Sequence, residues 1–142
     1  MEKTKFILGL ILFIGFISCD KEKNDNQNLL IKTDKFSYSS NESVYVNIEN
    51  HYETELSYYI CSSYEGIPPT IWKYENDGWT GFWSPICDGY FSHCCGEFES
   101  KSNYSDTLNT PFEKGTYKIE YSFIVENGGG YQSFYSNEFK VD

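Results

Sequence analysis

The residues with the most chemical potential lie close together. His93-Cys94-Cys95 follows Cys87 by a few positions, and Cys61 lies upstream. Thiolates and imidazoles are the ligands of zinc and copper, and four would complete a tetrahedral site. The spacing argues against that use, because zinc pairs are separated by two to four residues and adjacent cysteines rarely share one ion. A redox centre fits no better, since there is no Cys-x-x-Cys and no evident activating base. No metal ligand set and no cofactor are therefore expected. Cys61, Cys87, Cys94 and Cys95 read instead as disulfide partners, four residues with three possible pairings. A Cys61–Cys87 bridge is favoured. It closes a loop of about 26 residues and contributes about 3–4 kcal/mol in the chain-entropy model. It leaves Cys94 and Cys95 as neighbours, with Cα atoms about 3.8 Å apart across a trans peptide, closer than a disulfide prefers. The crossed pairings avoid that strain but require the two neighbours to point to different partners.

Catalytic sets are absent. The chain has only His51 and His93, with no Gly-x-Ser-x-Gly, no phosphate-binding Gly loop and no His-Glu-x-x-His. Acidic residues are scattered over positions expected to face water, so the chain is expected not to be an enzyme. Aromatic residues offer a different chemistry. The sequence holds 3 Trp, 13 Tyr and 11 Phe. Trp72, Trp79 and Trp83 form a candidate binding face for a glycan or a protein, with core packing and cross-strand pairing as the competing use. Trp79, Gly81 and Trp83 are expected on one side of their strand, Thr80 and Phe82 on the other. Tyr58-Tyr59 and the stretch 131–135 read as ordinary sheet surface.

These residues are positioned by strands. In Gly115-Thr116-Tyr117-Lys118-Ile119-Glu120-Tyr121-Ser122-Phe123-Ile124-Val125, the odd positions from Tyr117 are apolar or aromatic and the even ones through Ser122 polar. That alternation predicts a central strand with one dry and one wet face. A returning run follows over 131–141. Upstream, 29–38 reads as a short edge strand broken near Thr33-Asp34, 44–50 as a second strand and 56–61 as a third. Asn76-Asp77-Gly78 between two aromatic runs, 70–75 and 79–83, is a hairpin signal. The region 84–100 reads as irregular and 103–108 as a further strand. Seven or eight short strands without helical periodicity predict an all-β antiparallel sandwich over 29–142.

The N-terminus predicts an address. Lys3 and Lys5 precede an apolar run, Phe6 to Ile17, too short to span a bilayer comfortably. Phe16-Ile17-Ser18-Cys19 resembles the lipobox of bacterial lipoproteins, with Phe16 in place of the usual Leu. The resemblance implies cleavage after residue 18 and acylation of Cys19, which would anchor the chain in a membrane. Residues 20–28 are polar and charged and are expected to be a tether reaching about 30 Å when extended. An acidic residue directly after Cys19 also resembles the surface-export signals of some Gram-negative lipoproteins. The expected location is the bacterial outer membrane or cell surface, with the periplasmic face as the alternative. Eleven Lys and no Arg stand against 21 acidic residues, for a formal charge of −10. That balance argues against nucleic acid as a partner.

The order of motifs carries a second resemblance. Phe36-Ser37-Tyr38, the strand at 44–50, Trp72-Lys73-Tyr74-Glu75-Asn76-Asp77-Gly78-Trp79, Gly115-Thr116-Tyr117-Lys118-Ile119 and Ser136-Asn137-Glu138-Phe139-Lys140-Val141 are together similar to bacterial immunoglobulin-like domains of secreted lipoproteins. The likeness implies an immunoglobulin-like sandwich and a cysteine pair matching Cys61 and Cys87. It also implies a tyrosine corner at Tyr117. Cys94-Cys95 departs from the pattern. The function expected is a lipid-anchored binding or structural module, with a loop-mediated proteinase inhibitor or a carbohydrate-binding module as alternatives. Asp106-Thr107-Leu108 also resembles a bacterial O-glycosylation site.

Overall fold

Gly115–Val125 forms the predicted strand over its whole length, and every second residue from Tyr117 to Val125 is buried. A computed structural model describes residues 28–87, 95–109, 112–125 and 130–142. The expected signal segment, Cys19, most of the expected tether, His93 and Cys94 lie outside the described residues. The described chain contains eleven strands: β1 (Leu29–Thr33), β2 (Ser37–Tyr38), β3 (Val44–Asn50), β4 (Leu56–Tyr58), β5 (Pro69–Glu75), β6 (Gly78–Trp83), β7 (Gly96–Phe98), β8 (Asn103–Leu108), β9 (Gly115–Val125), β10 (Gly130–Tyr135) and β11 (Phe139–Val141). They form an all-β sandwich. One sheet has the order β1-β3-β8; the other is built around β9. One edge of β9 pairs with β10 and then β11, the other with β4 and β5, and β6 extends the sheet beyond β5.

The apolar sides of the two sheets meet in one core. Val44, Val46 and Ile48 of β3 face Tyr117, Ile119, Tyr121 and Phe123 of β9 across it, all almost fully buried. Each such aliphatic or Phe side chain contributes about 1.5–3 kcal/mol relative to exposure. Phe98, Phe112, Phe134 and Phe139 close the ends, with Phe112 and Phe139 packed on Tyr117. The Tyr117 hydroxyl donates to the Glu113 carbonyl at 2.7 Å, so the tyrosine ties its strand to the turn before it.

Several strands differ from the expected seven or eight. The broken edge strand becomes β1 and β2, which join different sheets; β2 pairs with β11 in parallel, an exception to the antiparallel rule. The third strand stops at Tyr58, and Cys61 instead bridges to Tyr64 in a tight loop. The region 84–100, expected to be irregular, contains β7, which pairs with β4. The final run is split because Ser136 turns its hydroxyl inward, where it accepts from the Ile119 amide at 3.0 Å and interrupts the ladder. The hairpin turn is Asn76-Asp77, with φ of 50° and 63°, and Gly78 already pairs with Glu75. Two successive left-handed residues are what a two-residue hairpin loop requires.

Candidate functional site

The wet side of β9 becomes the outer face of the large sheet. Pairing places Trp72 of β5 beside Lys118, and Thr70 and Tyr135 beside Glu120 on opposite edges. Directly paired residues share a face. Tyr74 and Trp79 are paired across the hairpin and fall on this same side. An aromatic group from three strands therefore surrounds one cation. The Lys118 ammonium lies 4.4 Å from the Trp79 ring centroid and 4.3 Å from that of Tyr135. Both distances are within the range of cation–π attraction. The edge of Tyr74 packs on Trp79 at 5.3 Å.

Polar contacts hold the neighbouring positions. The Trp72 indole N–H donates to one oxygen of Glu120, and the Ser133 hydroxyl donates to the other. Ser122 lies against both, with its hydroxyl 3.4 Å from Glu120 and 3.3 Å from the Ser133 hydroxyl. Further along β9, Tyr59 and Tyr131 stack at 4.7 Å between centroids, beside Ile124. Tyr74, Tyr131 and Tyr135 are each 47% exposed. None of these rings is required by the core, which lies on the other side of the sheet.

The predicted tryptophan face is only partly assembled. Trp72 and Trp79 share the outer face. Trp83 does not: a bulge between Ile71 and Trp72 leaves Phe82 without a partner on β5 and pairs Trp83 with the buried Ile71. The extra residue reverses the alternation. Trp83 therefore packs against the core and Tyr64, and Phe82 packs on Phe112 and Tyr117. The expectation that Trp79, Gly81 and Trp83 lie on one side is corrected by this bulge. Lys118 and Glu120 were legible as outward-facing in the sequence. Tyr131 and Tyr135, read there as ordinary surface, join the group only through the β9–β10 register.

Cys61 and Cys87 form the favoured disulfide, with Cα atoms 4.9 Å apart. It pins the loop after β4 to the segment after β6, and the Ser63 hydroxyl adds a bond to the Ile86 carbonyl. Ile86, next to the bridge, is 81% exposed. Cys95 is half-buried with φ of 124°. Among the described residues, no group of three or more His, Cys, Asp or Glu side chains is placed to hold a metal ion. His51 is exposed and lies 3.1 Å from Glu49.

Asp106 is turned inward, where it accepts from the hydroxyls of Tyr64 at 2.6 Å and Tyr121 at 2.9 Å. Burial, then the Asp106 charge, pushes the Tyr121 phenol well above its ordinary pKa, and burial and the Asp106 hydrogen bond do the same for Tyr64. Thr107 is exposed on the other side of β8. It lines a shallow depression of about 310 Å³ together with Lys32, Tyr45, Asn47, Ser105 and Asp106. One carboxylate oxygen is thus a structural acceptor between the sheets, and the other accepts the Thr107 backbone N–H at 2.8 Å.

No protein-family model matches the chain, and no curated protein matches it.

Proposed function

We propose that the chain is a lipid-anchored, extracytoplasmic immunoglobulin-like domain that works as a non-catalytic binding module at the bacterial cell envelope. Its ligand surface is the outer face of the large sheet. The observation that carries this reading is the group of Trp72, Tyr74, Trp79 and Tyr135 gathered around Lys118, on the side away from the core. Rigid aromatic side chains held by neighbours lose little entropy on binding, so they suit recognition. The immunoglobulin-like likeness is supported by the two-sheet arrangement, the Tyr117–Glu113 bond and the Cys61–Cys87 bridge. The lipobox-like Phe16-Ile17-Ser18-Cys19 supports the anchor.

The test has two arms. Radiolabelled palmitate should enter the wild-type chain expressed in a Gram-negative host and not the Cys19→Ser variant. Saturable binding to isolated envelope fractions should fall at least tenfold in Trp79→Ala with the fold retained. An unlabelled wild type sinks the anchor; undiminished binding in the variant sinks the face.

A second reading is favoured by Ile86. A highly exposed apolar residue beside a disulfide resembles the braced loop of a proteinase inhibitor. Nanomolar inhibition of an elastase-like protease, lost in Ile86→Asp, would support it; cleavage after Ile86 with release of the chain would end it.

A further inference from the structure

We infer that the ligand of this face is a neutral oligosaccharide chain, lying along β9 from the Lys118 group to the Tyr59–Tyr131 stack. The inference rests on the reading of that face as the ligand surface. A sugar ring offers C–H bonds on its flat sides and hydroxyls around its rim. The face offers matching chemistry in alternation. Aromatic pairs stand at both ends, half-buried Trp79 with exposed Tyr135 at one and half-buried Tyr59 with exposed Tyr131 at the other. Between them lie Glu120, Ser122 and Ser133, whose oxygens can accept from and donate to hydroxyls. Lys118 to Ile124 spans about 20 Å at ~3.3 Å per residue, room for several sugar rings.

Charge selects the class. Lys118 is balanced on the same face by Glu120, two positions along the strand, so the patch has no net charge to attract a polyanion. The whole chain carries −10, which repels acidic polysaccharides at long range. The ammonium between two rings has three N–H donors, more than the rings occupy, and one of them can serve a sugar hydroxyl. A protein partner is less well matched. Interface cores are enriched in aromatics, Met and Arg, while this chain has no Arg and this face has no Met.

The experiment uses the full chain in a detergent without a sugar head group, passed over immobilised polysaccharides. The neutral probes are mixed-linkage β-glucan, galactomannan, xyloglucan and α-mannan; the acidic probes are polygalacturonate and alginate. Retention by at least one neutral polymer is expected. It should survive high salt, be competed better by longer oligosaccharides than by the monosaccharide, and fall at least tenfold in Trp79→Ala and in Tyr135→Ala. Tyr135 is half-exposed, so its variant keeps the test open if Trp79→Ala fails to fold. Retention only by the acidic polymers, abolished by salt and by Lys118→Gln, would overturn the neutral class while leaving the face as the ligand surface. Neutral retention unchanged in both folded variants would overturn the site. No retention by any polymer would overturn the inference, while face-dependent binding to envelope fractions would still support the broader module.

Discussion

Thr33 and Asn137 are 104 residues apart in the chain and are joined twice. The Thr33 amide donates to the Asn137 side-chain oxygen at 2.9 Å, and the Asn137 amide nitrogen donates to the Thr33 hydroxyl at 2.7 Å. Thr33 ends β1 in the small sheet, and Asn137 lies in the break between β10 and β11 in the large one. The side chain thus acts where the chain leaves one sheet for the other.

Asn137→Ala removes the acceptor of the Thr33 amide and should cost about 1–2 kcal/mol. Urea unfolding would measure the loss. Hydrogen exchange should show the Thr33 amide opening faster, with the amides at the centre of β9 slowed or hastened only in proportion to global stability.

Asp106 gathers two phenols far apart in sequence, Tyr64 from a loop and Tyr121 from β9. Asp106→Ala leaves both hydroxyls without their partner and should destabilise by about 2–4 kcal/mol. Asp106→Asn keeps one acceptor oxygen and should cost less. Equal losses in the two variants, by chemical denaturation, would show that the hydrogen bonds are not the source.

Alkaline pH should unfold the domain early. Burial and the Asp34 hydrogen bond push the Tyr38 phenol from 10.0 up to about 12. Tyr64, Tyr104, Tyr117 and Tyr121 are also raised, with burial the largest cause in each. A raised phenol pKa means that the folded state keeps a proton that the unfolded chain loses. The stabilisation is therefore full below pH 10 and is lost as pH rises through the folded values, near 12 for Tyr38. Thermal midpoints should be flat between pH 8 and 9.5 with respect to these groups and fall above pH 10. Phenolate absorbance should rise together with unfolding.

The Cys61–Cys87 bridge closes a sequence separation of 26. Its removal in Cys61→Ala with Cys87→Ala should lower stability by about 3–4 kcal/mol in the chain-entropy model. Protease cleavage near Ile86 should increase in the same variant, because the Ser63 bond would then hold that segment without the bridge. Unchanged midpoints would mean that the loops are held by their packing alone.

What the sequence determined by itself was whatever depends on neighbours along the chain. The pleat has a period of two, so β9 and β3 could be read residue by residue, and so could the outward position of Lys118 and Glu120. Asn76-Asp77-Gly78 announced its hairpin through turn chemistry, and the even set of four cysteines pointed to bridges, of which Cys61–Cys87 was the favoured one. Tertiary structure decided the partners and the register. It sent β1 and β2 to different sheets and set Tyr135 beside Glu120. It also inserted the bulge that turned Trp83 inward. The reason is physical: local alternation sets which way a side chain points, but a one-residue slip or bulge reverses it. That choice is made by contacts between distant strands competing for the same core. The aromatic group around Lys118 exists only after that competition is settled, since it joins the β5–β6 hairpin to β9 and β10, which lie far along the chain.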